Sequence, residues 1–403
     1  MKSRQTFIII AAMMSAFSAG PAAAQISDDV VRIGVLTDLS GPYATLTGAG
    51  SVQAARMAIE DVGGTVLGKR IEIISADHQN KPDVAVGIAR QWFDVDKVDA
   101  IVDLTGSPIA LAVIKLAAEK NRAAIVTGAL VSRITSEDCT PTSSQWIVDT
   151  YVTASSVATG ITKRGGASWF FLTVDNAGGH SLREHASNAV VAAGGKVVGD
   201  VAHPLNMMDF SSALLVAQSS GAQVVGLANA GGDTVNAIKS AAEFALTKKQ
   251  TVAATLFTLA DLHALGLASA KGMYTATSFY WDANDDTRAW SRRFMASQGR
   301  MPDFYHAGMY AGITHYLQSI KAIGTDDGKA VVAKMKQMPV ETKLFKNAQL
   351  RENGQFASDV YLARVKSPEE SKYPWDYFAI EETVPADQAF LPLSKSKCPL
   401  IRN

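Results

Sequence analysis

The chain has only two cysteines, Cys139 and Cys398, and no CxxC pair. A structural zinc site takes four ligands, so two distant thiols exclude a cysteine metal box, and no metal is expected. Neither charge is in excess: Lys and Arg total 38, and Asp and Glu also total 38. A nucleic-acid binder carries a basic surplus, so that class is set aside. Catalytic signatures are missing as well. No GxSxG elbow, HExxH helix or P-loop occurs. The seven histidines, His78, His180, His185, His203, His263, His306 and His315, are scattered. His180 and His185 are five apart, a spacing that does not share a helix face. Each reads as a surface or structural residue, and the chain reads as no enzyme.

Long hydrophobic runs are lacking too. FIIIAAMMSAF (7–17) is too short to span a bilayer. With Lys2 and Arg4 before it and Ala22-Ala23-Ala24 after it, it predicts a signal peptide over 1–24, cut before Gln25. No cysteine follows the cut, so no lipid anchor is expected there. Losing Lys2 and Arg4 leaves 36 basic against 38 acidic residues. Export, to a periplasm, puts the thiols where they oxidise. A Cys139–Cys398 disulfide is expected, tying the tail to the middle of the chain; two separate thiols are the alternative.

What the chain does have is length and apolar content. Its 403 residues are 47% hydrophobic, and a core of that size divides into two domains. Short β-rich runs alternate with helical patterns. Strands are predicted at 31–36, 70–77, 100–104 and 123–128, with helices at 51–62, 84–95 and 107–121. Ser107 before Pro108 predicts an N-cap and first helical residue. The pattern restarts with strands at 167–175, 196–205, 222–229 and 250–257. Its helices fall at 181–193, 209–221 (capped by Asp209) and 233–245. The fold class is therefore α/β: two doubly wound parallel-sheet lobes. Beyond residue 277 come helices at 285–298 and 305–323, a hairpin signal at Asn353-Gly354 and a last strand at 375–380. This tail is expected to pack back on both lobes.

GAGSVQA (48–54) brushes against the dinucleotide fingerprint, but such a loop begins where the first strand ends. Gly48 lies roughly a dozen residues past that end, and the third glycine position holds Gln53. No nucleotide cofactor is expected, and no other cofactor is implied. Open α/β sheets bind ligands outside the carboxyl ends of their strands. The loops there are SGPYATL (40–46), DHQN (77–80), TGSP (105–108), TGALVS (127–132), DNAGGHS (175–181), NAGGDT (229–234) and TLAD (258–261). They are rich in glycine and small polar residues, which lets backbone N–H groups face an anion. Asn176, Asn229 and Gly231 belong to this set. Ser107, at a predicted helix start, is the best carboxylate contact.

The order of VRIGVLTDLSGPYATLTG, GKRIEIISADHQNKPDVA, VDLTGSPIALAVIKLAAEKNRAAIVTGA, LANAGGDTVNAIKSAAEF and the closing KCPL carries a resemblance. From about residue 30 onward the chain resembles the periplasmic solute-binding proteins of ABC importers, in the branched-chain amino-acid (Leu/Ile/Val) uptake group. Within it, the chain looks like a subgroup that takes aromatic or other small carboxylic acids. The resemblance implies a type I fold, with three hinge crossings and the ligand between the lobes. Lobe 1 would be 25–148 with 277–356, and lobe 2 would be 149–276 with 357–403.

It also implies a site. Tyr43 and Leu46 would pack on the ligand. Ser107, Pro108 and Ile109 would hold the carboxylate, with Ile109 supplying the N–H that proline lacks. Ala129 to Val131 would offer backbone groups, Val131 standing where amino-acid binders have a Thr hydroxyl. Ala177 or Gly178 replaces the aromatic that closes over the ligand in the family. Asp261 and Asp233 are candidate partners for an amino-acid ammonium. The expected protein is a monomer that delivers its solute to an ABC permease. A sensor module for a membrane receptor and an exported enzyme are the alternatives.

Overall fold

The structure is a computed structural model and describes residues 26–401; the expected signal peptide lies outside the described residues. The first sheet is built from β1 (Val30–Thr37), β2 (Thr65–Val66), β3 (Lys69–Asp77), β4 (Ala100–Asp103), β5 (Ala123–Val126) and β6 (Ser143–Gln145). Its order is β2-β3-β1-β4-β5-β6, parallel apart from the β2–β3 hairpin. Between the strands run α1 (Gly48–Asp61), α2 (Pro82–Asp94) and α3 (Ser107–Glu119). β4 and β5 are buried along their whole length, as strands covered on both faces must be. Gly34 in β1 lets the Trp92 ring lie on the sheet: a Cβ there would stand 2.5 Å from it.

The second sheet follows α4 (Thr150–Lys163). It holds β7 (Ser168–Val174), β8 (Lys196–His203), β9 (Val224–Ala228) and β10 (Thr251–Ala254), in the parallel order β10-β9-β7-β8. α5 (Ala177–Ala192), α6 (Ser211–Ser219) and α7 (Gly232–Glu243) connect them. After α8 (Leu259–Leu265) and α9 (Leu267–Ala270) comes β11 (Tyr274–Thr277). The remainder is α10 (Asp285–Gln298), α11 (Phe304–Ile323), α12 (Gly328–Gln337), β12 (Gln349–Leu350), β13 (Phe356–Ala357), β14 (Val360–Val365), β15 (Phe378–Val384) and α13 (Ala386–Ala389).

The tail does serve both halves. α10 and α11 pack on α1, while β14 and β15 join β11 in an antiparallel sheet beside α4. The Asn353-Gly354 signal is the turn between β12 and β13. That turn is stitched to the first crossing between the halves. Gln145 donates its N–H to the Gly354 carbonyl at 2.8 Å. The Gln355 amide donates to Ile147 O at 2.9 Å, and the Asn353 amide donates to Thr135 O at 2.9 Å. Cys139 and Cys398 are joined by a disulfide, with Cα atoms 5.6 Å apart.

Three helix starts differ from the sequence reading. Ser107 is not the cap of α3: Gly106 is, at φ 94°, and no side chain caps the helix. The preceding Asp103 and Leu104 also lie in the left-handed region, at φ 76° and 60°. That sharp turn shifts the helix start by one residue and leaves the Ser107 hydroxyl uncommitted. α5 begins at Ala177 rather than 181, because the Asn176 side chain accepts the Gly179 N–H at 3.0 Å. The cap outweighs the low helix propensity of Gly178 and Gly179. At α6 the cap position falls to Phe210, and Asp209 accepts the Ser211 N–H from outside the helix at 2.8 Å.

Candidate ligand-binding cleft

The carboxyl ends of β1, β4 and β5 face those of β7 and β9 across a cavity of about 250 Å³. Small-molecule sites run to about 300–1,000 Å³, so this one suits a small solute. Its floor is buried: Leu46, Thr105, Ala129, Thr150, Asn229, Leu256 and Tyr305. Its rim is half-buried or exposed: Asn80, Pro82, Ser107, Asp175 and Asn176. No Lys or Arg lines it.

Behind the first-lobe wall sits a fully buried carboxyl, Asp103. It accepts from the Thr127 hydroxyl at 3.1 Å and the Thr105 hydroxyl at 3.2 Å. Its own carbonyl takes the N–H groups of Thr127 and Gly128. Thr105 is tied further to Thr47, at 2.8 Å, and to Thr37, at 3.3 Å. These bonds lock the ends of β1, β4 and β5 to one another. Burial pushes the Asp103 carboxyl up to about 6, against the hydroxyls that favour its charge. Gly128 has no room for a side chain, since a Cβ would stand 2.7 Å from both Asp103 Oδ1 and Thr105 Cα. The second-lobe wall is locked by Asn229. Its Oδ1 accepts from the Thr234 hydroxyl at 2.8 Å, and its amide lies 3.2 Å from His203 Nε2. His203 Nδ1 faces the Pro204 carbonyl at 2.9 Å.

Two helix N-termini meet at the cavity. α3 arrives from one lobe and α5 from the other. A Cβ on Gly178 would lie 3.0 Å from Ser107 Oγ. The N–H groups of Ser107, Ile109 and Gly178 have no protein acceptor among the described residues. First-turn donors of this kind, with the positive ends of two helix dipoles, favour an anion. Much of the remaining lining is apolar: Leu46, Ile109, Ala129, Leu130, Val174, Leu182 and Leu256. The arrangement can hold a small anionic group at one end and an apolar body beyond it.

Of the residues singled out from sequence, Tyr43, Leu46, Ser107, Pro108, Ile109, Ala129, Asn176, Gly178 and Asn229 line this cavity. Burial pushes the Tyr43 phenol up to about 12, with the Asn176 side chain across the cleft opposing the shift. The others lie elsewhere. Val131 is fully buried in the core beside α3, with Ile109 and Ile134. Ala177 faces a second, polar cleft shared with His185 and Arg351. Gly231 stands outside the lining, against Pro42, Tyr43 and Leu46. Asp233 is buried behind the wall and accepts the Asn206 N–H at 3.3 Å.

Asp261 does not reach the cavity either. Its carboxyl accepts from the Thr258 N–H at 3.0 Å and the Thr258 hydroxyl at 2.8 Å, closing a capping box on α8. Burial pushes it up to about 7. Among the described residues, no group of three or more His, Cys, Asp or Glu could hold a metal ion, and no helix is long and apolar enough to cross a membrane.

Several lining residues carried no sequence assignment. Asn80 and Thr105 sit in strand-end loops that were marked, and position alone could have found them. Thr150 is bound at 2.6 Å to Ser181 in α5. Tyr305 enters from α11, whose first turn reads as plain core, and no local signal marks it.

The comparisons with known proteins agree with this geometry. A family model described as periplasmic binding protein matches residues 30–372. Among solved structures, a periplasmic binding protein from Burkholderia mallei is 44% identical with a TM-score of 0.91, covering 93% of this chain and 100% of that one. A branched chain amino acid ABC transporter periplasmic ligand-binding protein from Burkholderia xenovorans is 39% identical, with a TM-score of 0.82 and coverage of 92% and 99%. A solute binding protein of an ABC transporter from Rhodopseudomonas palustris, in complex with 3,4-dihydroxybenzoic acid, is 24% identical with a TM-score of 0.80, covering 92% and 99%. At that identity it shows the fold alone. No curated protein matches the chain.

Proposed function

We propose, from the premise that this chain belongs to the periplasmic binding protein family, that it captures a small aromatic or other organic acid and delivers it to an inner-membrane ABC permease. The family makes it a periplasmic substrate-binding protein of the ABC type, and the family and its neighbours bind solutes rather than transform them. The choice of ligand is carried by one observation: the cavity offers paired helix N-termini but no acid placed to meet an ammonium. Asp261 caps α8 and Asp233 is turned to Asn206. Asp175, the one carboxylate in the lining, is exposed and lies 2.9 Å from His180. A buried ammonium without an acceptor is costly, so a plain acid fits better than an amino acid. Neighbours of the same fold at 21% and 20% identity were solved with benzoate and with 4-hydroxybenzoate, whereas the 39% identical neighbour from Burkholderia xenovorans is named for branched chain amino acids, so both ligand classes enter the test.

In this reading, the Ser107 hydroxyl and the N–H groups of Ser107, Ile109 and Gly178 hold the carboxylate. Tyr43, Leu46 and Ala129 enclose the apolar body, and Asn176 and Asn229 shape the second-lobe wall. The lobes, 25–148 with 277–356 and 149–276 with 357–403, turn about the stitched crossings. Ligand contacts made from both sides favour closure. The protein works as a monomer and changes no bond in its solute.

A thermal-shift and calorimetry panel of benzoates, phenylpropanoates, aliphatic acids and branched-chain amino acids tests this. Ligand at 100 times its dissociation constant stabilises by about 2.7 kcal/mol. Shifts with acids and none with leucine are expected. Binding confined to amino acids would overturn the choice of ligand.

A further inference from the structure

The cavity has a second polar group, on its buried floor. Tyr305 is 2% exposed and lines the floor, whereas Ser107 and Asn176 stand half-buried at the rim. Among the described residues no partner meets the Tyr305 hydroxyl. Nor is it among the polar atoms sealed inside protein; it opens on the cavity. The buried floor it shares holds Leu46, Ala129 and Leu256, and its polar members Thr105, Thr150 and Asn229 are bonded to Thr47, Ser181 and Thr234.

The ring cannot turn away to find a partner elsewhere. It stacks on Phe304 with centroids 4.2 Å apart. Asp303, the cap of α11, holds that first turn from both lobes: its carboxylate accepts the Phe304 N–H at 2.7 Å and the Leu259 N–H at 2.9 Å. His306 Nδ1 completes the box by accepting the Asp303 N–H at 2.9 Å. Burial holds the phenol protonated, well above its ordinary range, so it keeps a proton to donate.

A buried hydroxyl left without a partner is unfavourable, and a site built to bond a substrate hydroxyl rejects the analogue that lacks it. Resting on the acid-binding reading above, we propose that Tyr305 is a specificity residue: it bonds a hydroxyl on the part of the ligand that enters the buried floor. The preferred solute is then a ring-hydroxylated aromatic acid rather than an unsubstituted one.

Calorimetry with benzoate, 3-hydroxybenzoate and 4-hydroxybenzoate, on the wild-type protein and on Tyr305→Phe, tests this. The wild type is expected to bind one of the hydroxylated acids at least about tenfold more tightly than benzoate. In Tyr305→Phe that preference for the hydroxylated acid over benzoate should fall to within about threefold. Equal binding of all three acids by the wild type overturns the Tyr305 assignment alone. So does a full preference that survives in Tyr305→Phe. If none of the acids binds, the acid-binding reading falls and takes this assignment with it. The wild-type comparison decides the matter even if the variant does not fold.

Discussion

Gly178 and Ser107 face each other across the cleft so closely that one added carbon on Gly178 would come within 3.0 Å of the serine hydroxyl. They lie on helices from different lobes, so the contact exists only when the lobes are together. Gly178→Ala should therefore separate two properties. Alanine in the first turn of α5 favours the helix by about 0.5–1 kcal/mol, so the melting temperature should hold or rise. Crowding against Ser107 costs about 1 kcal/mol or more, so calorimetry should show affinity at least about fivefold weaker. Unchanged affinity would mean that the lobes bind in a more open arrangement.

Ser107→Ala removes a hydroxyl but leaves the N–H groups of Ser107, Ile109 and Gly178. A bond to a charged acceptor is worth about 1.5–3 kcal/mol, so affinity for the acid should fall about tenfold or more. Stability should stay the same, because this hydroxyl caps nothing. A loss of melting temperature without a loss of affinity would assign Ser107 to the fold.

Burial raises the pKa values of several buried carboxyls: Asp99, Asp103 and Asp303 to about 6 and Asp261 to about 7, with Asp38, Asp149 and Asp233 shifted the same way. Each holds its proton more tightly when folded than when unfolded. Their contribution to stability is therefore full below about pH 4 and is lost as pH rises through 6 to 7. Burial lowers the pKa values of His78, His306 and His315, and these act in the opposite direction over the same range, so the carboxyl contribution is read from a variant. Asp261→Asn, neutral at every pH, should gain stability over the wild type at pH 8 and lose that advantage at pH 5.5, as measured by urea unfolding. A pH-independent difference between the two proteins would contradict the assignment.

Reducing the Cys139–Cys398 bridge, or replacing both residues by serine, should cost about 2–5 kcal/mol of stability. Neither cysteine lines the cavity, so ligand affinity should not move. Chemical unfolding with and without reductant, alongside calorimetry, checks both halves of the statement.

Hydrophobic periodicity was enough to read the two α/β halves, because each buried strand is a short apolar run followed by an amphipathic helix. α10 was legible to the residue: Asn284 caps it and Gly299 ends it in the left-handed region. Much of the cleft lining was legible from the strand-end loops, as with Tyr43, Ser107 and Asn176, although Asn80 and Thr105 in the same loops carried no assignment. It was not legible where a residue reaches the cavity from another layer. Tyr305 is about 200 residues from Thr105, yet both lie on one floor; only the packing of α11 on α1 brings it there.

Asp261 was misplaced for a different reason. An acid near a strand end looks like a ligand contact, but Thr258-x-x-Asp261 is also a capping-box pattern, and the helix uses it. Val131 and Ala177 miss the cavity by one step of side-chain direction, which spacing alone does not reveal.

The disulfide also bears on how the protein is made. Its two residues are 259 apart in sequence, so Cys139 must cross the membrane and wait as a thiol while nearly all the remaining chain follows. Any chain interrupted before residue 398 leaves that thiol open to trapping and degradation. Because the chain has only two cysteines, there is one pairing to find and no wrong one within the molecule. Oxidation can thus come last, as a seal on a finished chain, and it needs an oxidant but no isomerase.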